Sequence, residues 1–266
     1  MNNAITGLAS TLSTAVNDAQ KTIVGIHEQL ASGKKTLNPA ENGVITRLSA
    51  QSSGYGAIVQ NIVAARNVIN VAQSGLTSIA GIITQMKNLA TQAASVGLKD
   101  SDRESLDVTF ANMKDQIDNL ATSASVNGNN LLGTEDLTVR TDIDGTGTPT
   151  TTISAASISA IVTAMADLTI ATSDDAGTAM ASLTTQLETV STAQSNLSAS
   201  DGALVAQQTN AQTLSDGLAK VVDTIQNVDS TKLQALLQNM NTQQSIDYYL
   251  VSQMNTEAAA VLTIFR

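Results

Sequence analysis

The residues able to do chemistry in this sequence are few and scattered. His27 is the single histidine and there is no cysteine, which removes thiolate chemistry and disulfides and leaves the many serines without a pool of bases to activate them. His27 abuts Ile26 at the edge of an apolar seam, where a solvated or packed imidazole fits better than a metal ligand. Asp142-Ile143-Asp144-Gly145 has the opening of a calcium loop, but the twelfth position is Ile153, where such a loop needs a bidentate glutamate. Gly54-Tyr55-Gly56 lacks the third glycine and the preceding strand of a nucleotide-binding turn. Carboxylates are spread over helix faces without apolar pockets to shift them. The sequence therefore points away from an enzyme, with no cofactor and no metal expected.

Composition narrows the partners. The net charge is −10, from 13 basic and 23 acidic residues, and no Lys/Arg stripe exists to neutralise phosphates, so nucleic acid is not a partner. Only 2% of the 266 residues are aromatic and tryptophan is absent, which suits long, thin helical packing better than a thick globular core. No apolar run approaches the roughly 20 residues of a membrane span, so membrane insertion is not expected. The N-terminal stretch has neither the basic start nor the compact hydrophobic region of a cleavable signal. A cytoplasmic protein, or one exported by a route that reads no such signal, is the expectation.

What remains is helix seams, and the chain is organised around the two at its ends. Ile5, Leu8, Leu12, Val16, Ala19, Ile23, Ile26 and Leu30 recur about every 3.6 residues, a helical period on an otherwise Ser/Thr/Asn-rich segment. Gly7 and Gly25 each weaken an isolated helix by roughly 1 kcal/mol, so this stretch needs a partner to cover its seam. The partner expected is the C-terminal segment, where Leu233, Leu237, Met240, Val251, Met254, Ala258, Val261 and Phe265 repeat the pattern with few charges.

Between the tails, Gly33 can end the first helix, and Asn38-Pro39-x-Glu41 reads as a capping box with proline at the first helical position. Beyond it Ile58, Ile62, Ala65, Ile69, Ala72, Leu76, Ile79, Ile83, Met86, Ala90 and Ala93 alternate steps of four and three, a heptad seam, with Gly97 as the expected C-cap. Ser101 and Glu104 suggest a second capping box opening a helix with Leu106, Phe110, Met113, Ile117, Leu120 and Ala124 on its seam. After Asn127-Gly128, the alternation of Leu137, Val139 and Ile143 before Asp144-Gly145 predicts a small β-hairpin, followed by a short helix from Ala155 to Leu168. Ser173 is the expected N-cap of a returning helix with Met180, Leu183, Leu187, Val190, Gln194, Leu197, Leu204, Ala211, Leu214, Leu218, Val221, Ile225 and Val228 on its stripe.

The fold expected is mainly α: a long out-and-back helical rod of coiled-coil tails and a helical bundle, with a small β-like insertion at the tip. The domains expected are 1–32 with 230–266 as paired terminal helices, 33–134 with 172–229 as the rod, and 135–171 as a surface insertion.

This plan, and several words within it, resemble bacterial flagellin over nearly the whole chain except about 136–168. The words are Leu30-Ala-Ser-Gly-Lys-Lys with Asn38-Pro-Ala-Glu-Asn, Arg66-Asn67 with Val71-Ala-Gln-Ser-Gly-Leu-Thr-Ser-Ile, Leu89-Ala-Thr-Gln-Ala-Ala and Asn127-Gly-Asn-Asn-Leu-Leu. Leu233-Gln-Ala-Leu-Leu-Gln and the closing Val261-Leu-Thr-Ile-Phe-Arg complete the order. The resemblance implies a subunit whose paired tails form the inner core of a hollow filament and whose middle helices form its outer tube. It also implies export unfolded through a type III apparatus, with an export chaperone, cap and hook-junction proteins as partners besides other copies of itself.

Two features depart from the family pattern. The insertion is very short, and the acidic run that commonly precedes the last helix is reduced to Asp223 and Asp229. The resemblance further implies that Ile83 to Gln92 aligns with the segment gripped by the vertebrate innate flagellin receptor. Gln85 and Lys87 stand there where two arginines are usual, with Leu89 beside them. A lysine cannot reproduce a planar bidentate fork, so weak receptor recognition is implied. The hook–filament junction protein is the alternative within the flagellum, and a chemoreceptor-like signalling rod is the alternative from another class.

Overall fold

The computed structural model describes residues 2–143 and 150–264. Its elements are α1 (Asn2–Ser32), α2 (Pro39–Ala93), α3 (Asp100–Ser123), β1 (Leu137–Arg140), β2 (Thr150–Ile153), α4 (Ile158–Met165), α5 (Ser173–Gln226) and α6 (Ser230–Ile264). The chain is thus mainly α, with one small antiparallel hairpin. It divides into two compact units, Met1–Ala50 with Gly217–Arg266, and Gln51–Asp216.

In the first unit, α1 stops where Gly33 takes φ +67°, a left-handed conformation that costs glycine nothing. The connection out of α1 is pinned to the connection into α6. Lys35 N–H donates to the Gln226 carbonyl at 2.7 Å and Val228 N–H to the Gly33 carbonyl at 3.3 Å, around an antiparallel bridge between Lys34 and Asn227.

Helix α2 then starts as its sequence predicts. Asn38 Oδ1 accepts the Glu41 N–H at 2.8 Å, and Glu41 Oε2 accepts the Asn38 N–H at 3.0 Å, satisfying two orphan donors reciprocally. Lys35 completes the arrangement through an ion pair with Glu41. That hydrogen bond from Lys35, then the Asn38 N–H, hold the Glu41 carboxyl below the usual carboxylate range.

The second unit has a finished core. Every member of the α2 seam from Ile58 to Ala93 is buried, and against it lie Phe110, Ile117 and Ala121 of α3 and Ala176, Ala179, Leu183, Val190, Leu197, Leu204 and Ala211 of α5. Helices α2 and α5 run antiparallel here, linked by Arg66 to Asp201 at 2.7 Å and by Gln194 to Thr77 at 3.2 Å. Between Ser52 and Ser215, each hydroxyl donates to the other's carbonyl at 3.0 Å. Leu214 and Val221 fall on the predicted α5 stripe but are exposed, and Val228 lies beyond the end of α5.

The hairpin pairs Leu137 with Ile153 through Arg140 with Thr150, with Val139 and Ile153 turned into the core. The Asp144-Gly145 turn proposed from sequence, and with it the second aspartate of the calcium-like run, lies outside the described residues. The Asn127-Gly128 turn is closed by reciprocal bonds between Val126 and Asn129 at 2.9 and 3.0 Å, and both central residues have positive φ. Leu132 behind it presses on α2 so closely that a Cβ on Gly75 would lie 2.7 Å from its Cδ1.

Three helix ends differ from the sequence reading. Helix α2 ends at Ala93 and Gly97 caps nothing, because Arg103 of the next helix takes over the free carbonyls. Its Nε donates to the Ala93 carbonyl at 2.8 Å and its Nη2 to the Ser95 carbonyl at 2.7 Å. That reach starts α3 at Asp100, with Lys99 as N-cap and no side-chain capping bond, so Ser101 lies inside the first turn. Helix α5 is capped one residue earlier than expected: Thr172 Oγ1 accepts the Asp175 N–H at 3.1 Å and donates to Asp175 Oδ2 at 2.7 Å. Ser173 Oγ instead donates to the Ala94 carbonyl.

Arg103 is the one buried charged side chain among the described residues. Removing it leaves the buried Ala93 carbonyl unpaired, so Arg103→Met should destabilise the second unit by about 1–3 kcal/mol, and Arg103→Lys should recover only part because an ammonium lacks the planar fork. Chemical denaturation measures both; an unchanged midpoint for Arg103→Met would contradict this role.

Candidate self-assembly surface

The apolar positions predicted for the two tails meet in the first unit. Leu12, Val16, Ala19, Ile23, Ile26 and Leu30 of α1 are all half-buried or buried, and so are Leu233, Leu237, Met240, Val251 and Met254 of α6. The α1 set steps by four and three throughout, the α6 set does so on either side of a gap between Met240 and Val251, and the helices run antiparallel, with Gln20 Nε2 donating to the Tyr248 hydroxyl at 2.8 Å. The side chains of Ile5, Leu8, Ala258 and Val261, and all of Phe265, lie outside the described residues. His27 is exposed, as its place at the seam's edge implies.

The pairing leaves the seam only partly covered. Among the described residues of this unit, the buried apolar side chains are Ala19, Ile26, Ile45 and Val222, whereas the second unit buries whole helix faces. A two-helix pair can cover one stripe of each helix and no more, so large side chains outside that stripe stay in water. Val24 of α1 is 56% exposed, and on α6 Ile246 is 54% and Tyr249 67% exposed, with Leu236 and Leu250 similarly open. Apolar surface of this extent marks a site of interaction.

Two seam positions escape a search for apolar residues. Continuing the four-three spacing from Met240 gives Gln244 and Asp247 before Val251, and both are half-buried. Spacing alone finds them. Asp247 is the more consequential, because its Oδ2 is buried with no hydrogen-bond partner among the described residues. The outer row of Ile246, Tyr249 and Leu250 was equally legible as an i, i+3, i+4 set on the opposite side of the helix.

The stretch around Gln85 sits in the second unit on α2. Gln85 is exposed, Lys87 is half-buried, and Leu89 packs against the core, so only the first presents itself freely to solvent. Among the described residues no group of three His, Cys, Asp or Glu could hold a metal, and no helix is long and apolar enough to cross a membrane.

A chain whose chief open surface is an incompletely covered pair of terminal helices belongs to the class of helical structural proteins that bind through helix faces. Comparison with known proteins makes the class specific. Residues 5–136 match the family model for the bacterial flagellin N-terminal helical region. Flagellin FljK of Caulobacter vibrioides is 26% identical over 259 residues, 94% of this chain and 93% of that protein. A flagellin of Halalkalibacterium halodurans is 22% identical, again over 94% and 93% of the two chains. The crystal structure of Bacillus cereus flagellin superposes with a TM-score of 0.50 at 23% identity, covering 57% of this chain and 88% of that one, which supports the fold. The chain belongs to the bacterial flagellin family. Likeness to flagellins through both tails and the middle favours a filament subunit over the junction protein or a chemoreceptor-like rod.

An orphaned carboxylate oxygen in a seam costs about 1–3 kcal/mol, and an apolar replacement of similar shape removes that cost. Asp247→Leu should therefore strengthen α1–α6 pairing, read as a higher thermal midpoint for loss of tail helicity in filaments. A lowered midpoint would show that Asp247 has a partner in the assembled state.

Proposed function

We propose that this chain is a structural subunit of the bacterial flagellar filament, used for swimming, and that its mechanism is assembly rather than catalysis. The observation that carries the reading is the half-covered α1–α6 seam on a member of the flagellin family. One helix pair satisfies part of each apolar stripe, and neighbouring copies of the same pair supply the rest. On this reading 1–32 and 230–266 form the inner core of the filament, 33–134 and 172–229 the outer tube, and 135–171 a short surface insertion. The assembly residues are those facing across the seam, from Leu12 to Leu30 and from Leu233 to Met254, together with Ile5, Leu8, Val261 and Phe265.

The chain reaches the cell exterior, on the same reading, by type III export without a cleaved signal, met on the way by a chaperone and at its destination by cap and junction proteins. Weakly charged tails, the first of them interrupted by Gly7 and Gly25, suit such a route, since glycines within a helix let it give up its structure easily. No part of the proposal needs a cofactor, nucleic acid or a membrane.

A carboxylate placed in the seam would be buried without a partner at a cost of several kcal/mol. Leu12→Asp and Leu237→Asp should each abolish polymerisation while leaving the second unit folded, because its core contains neither residue. Electron microscopy of secreted protein and circular dichroism of the monomer read the two outcomes separately. Normal filaments from either variant would overturn the assignment of the seam.

A further inference from the structure

The α1–α6 pair carries a recess of about 220 Å³ lined by Leu12, Val16, Tyr248, Val251 and Met254, with Ser13, Asn17 and Asn255 completing its wall. The lining is apolar with three neutral polar groups and no charge. A side chain that fills it should have a flat apolar body and one hydroxyl-like polar tip, which is the description of tyrosine. The volume suffices for an aromatic ring, since an apolar cavity of about 150 Å³ takes up benzene.

The chain has three tyrosines and two phenylalanines. Phe110 is buried in the second unit and Tyr55 packs against the same core, Tyr248 already lines the recess and holds Gln20, and Phe265 lies outside the described residues. Tyr249 is 67% exposed and makes no hydrogen bond among the described residues. The neighbours Ile246 and Leu250 are exposed too, but an aliphatic tip would leave Ser13, Asn17 and Asn255 without a partner.

Helix geometry forbids Tyr249 from filling the recess of its own molecule. At about 100° per residue, the α6 side chains that line the recess centre roughly 150° away from Tyr249. The ring and the recess thus lie on opposite sides of one helix. A contact between surfaces so placed is heterologous: it joins the back of one copy to the front of the next and does not close on a dimer, so it propagates.

We infer that Tyr249 of one copy inserts into the recess bounded by Leu12, Val16, Val251 and Met254 of a neighbouring copy, forming a repeated knob-and-hole contact between terminal helix pairs. The inference rests on the proposed filament function and specifies which surfaces of the tails meet.

The absence of native cysteine makes the test clean. The double variant Asn17→Cys/Tyr249→Cys is oxidised before and after assembly and run on a non-reducing gel. Filaments should give a ladder of covalent oligomers that neither single variant gives, and unassembled protein should give none. Tyr249→Ala should raise the critical concentration for polymerisation at least about tenfold, as loss of a buried aromatic anchor does, whereas Tyr249→Phe should raise it less. Good filaments without a ladder, an internal bond in the monomer, or an unchanged critical concentration for Tyr249→Ala would each overturn the contact while leaving the filament reading intact. Failure of the unmodified chain to polymerise would instead remove the reading on which the contact rests.

Discussion

Two helices in contact can hide only one stripe each, and the first unit of this protein is built at that limit. Side chains along the α1–α6 seam are mostly half-exposed, and a further apolar row on α6 faces away from α1 altogether. Fixing the backbone costs about 1–2 kcal/mol per residue, while a fully buried Leu, Ile or Val returns about 1.5–3 kcal/mol, and half-burial returns correspondingly less. A lone pair of such tails has little to spare. The deficit is made up when neighbouring tails cover the open faces, so that folding of the ends and joining of the subunits become one event.

The second unit shows the contrast. Ile62, Ile69, Leu76, Ile79, Ile83 and Met86 of α2 are completely enclosed by α3, α5 and the hairpin region, and the polar ends of its helices are closed by Arg103, Asn130 and Thr172. Asn130 Nδ2 donates to the Ala121 carbonyl at 2.7 Å and its Oδ1 accepts the Leu132 N–H at 2.9 Å, so one side chain both finishes α3 and shapes the following turn. This unit has what it needs to be stable without help. The division of labour between a self-sufficient body and dependent ends is what a subunit requires if it must remain monomeric until it meets a growing end.

Much of this was legible in the sequence because it rested on period. The heptad of α2 is reproduced residue by residue in the core, and the capping box of Asn38 and Glu41 forms as the spacing demands. Among the described side chains, the two tail seams meet as paired stripes from Leu12 to Leu30 and from Leu233 to Met254. What escaped were features in which a polar side chain reaches across space. Ser101 and Glu104 satisfy a capping pattern, yet Arg103 between them binds carbonyls at the end of α2 and moves the helix start. Gly97 looks like a C-cap, but that same arginine makes one unnecessary. Asp247 and Gln244 occupy seam positions that a search for hydrophobic residues passes over, and Tyr249 gains its meaning only once the opposite face of α6 is known to be taken.

The account stands or falls on whether the tails are ordered by assembly. Hydrogen–deuterium exchange, read peptide by peptide on the unassembled chain and on filaments, tests this most directly. The account predicts rapid exchange throughout α1 and α6 in the unassembled chain beside strong protection of α2 and α5 within the second unit, and protection of all four helices in the filament. Slow exchange of α1 and α6 before assembly would contradict it, because the seam would then be stable without the neighbours that are held here to complete it.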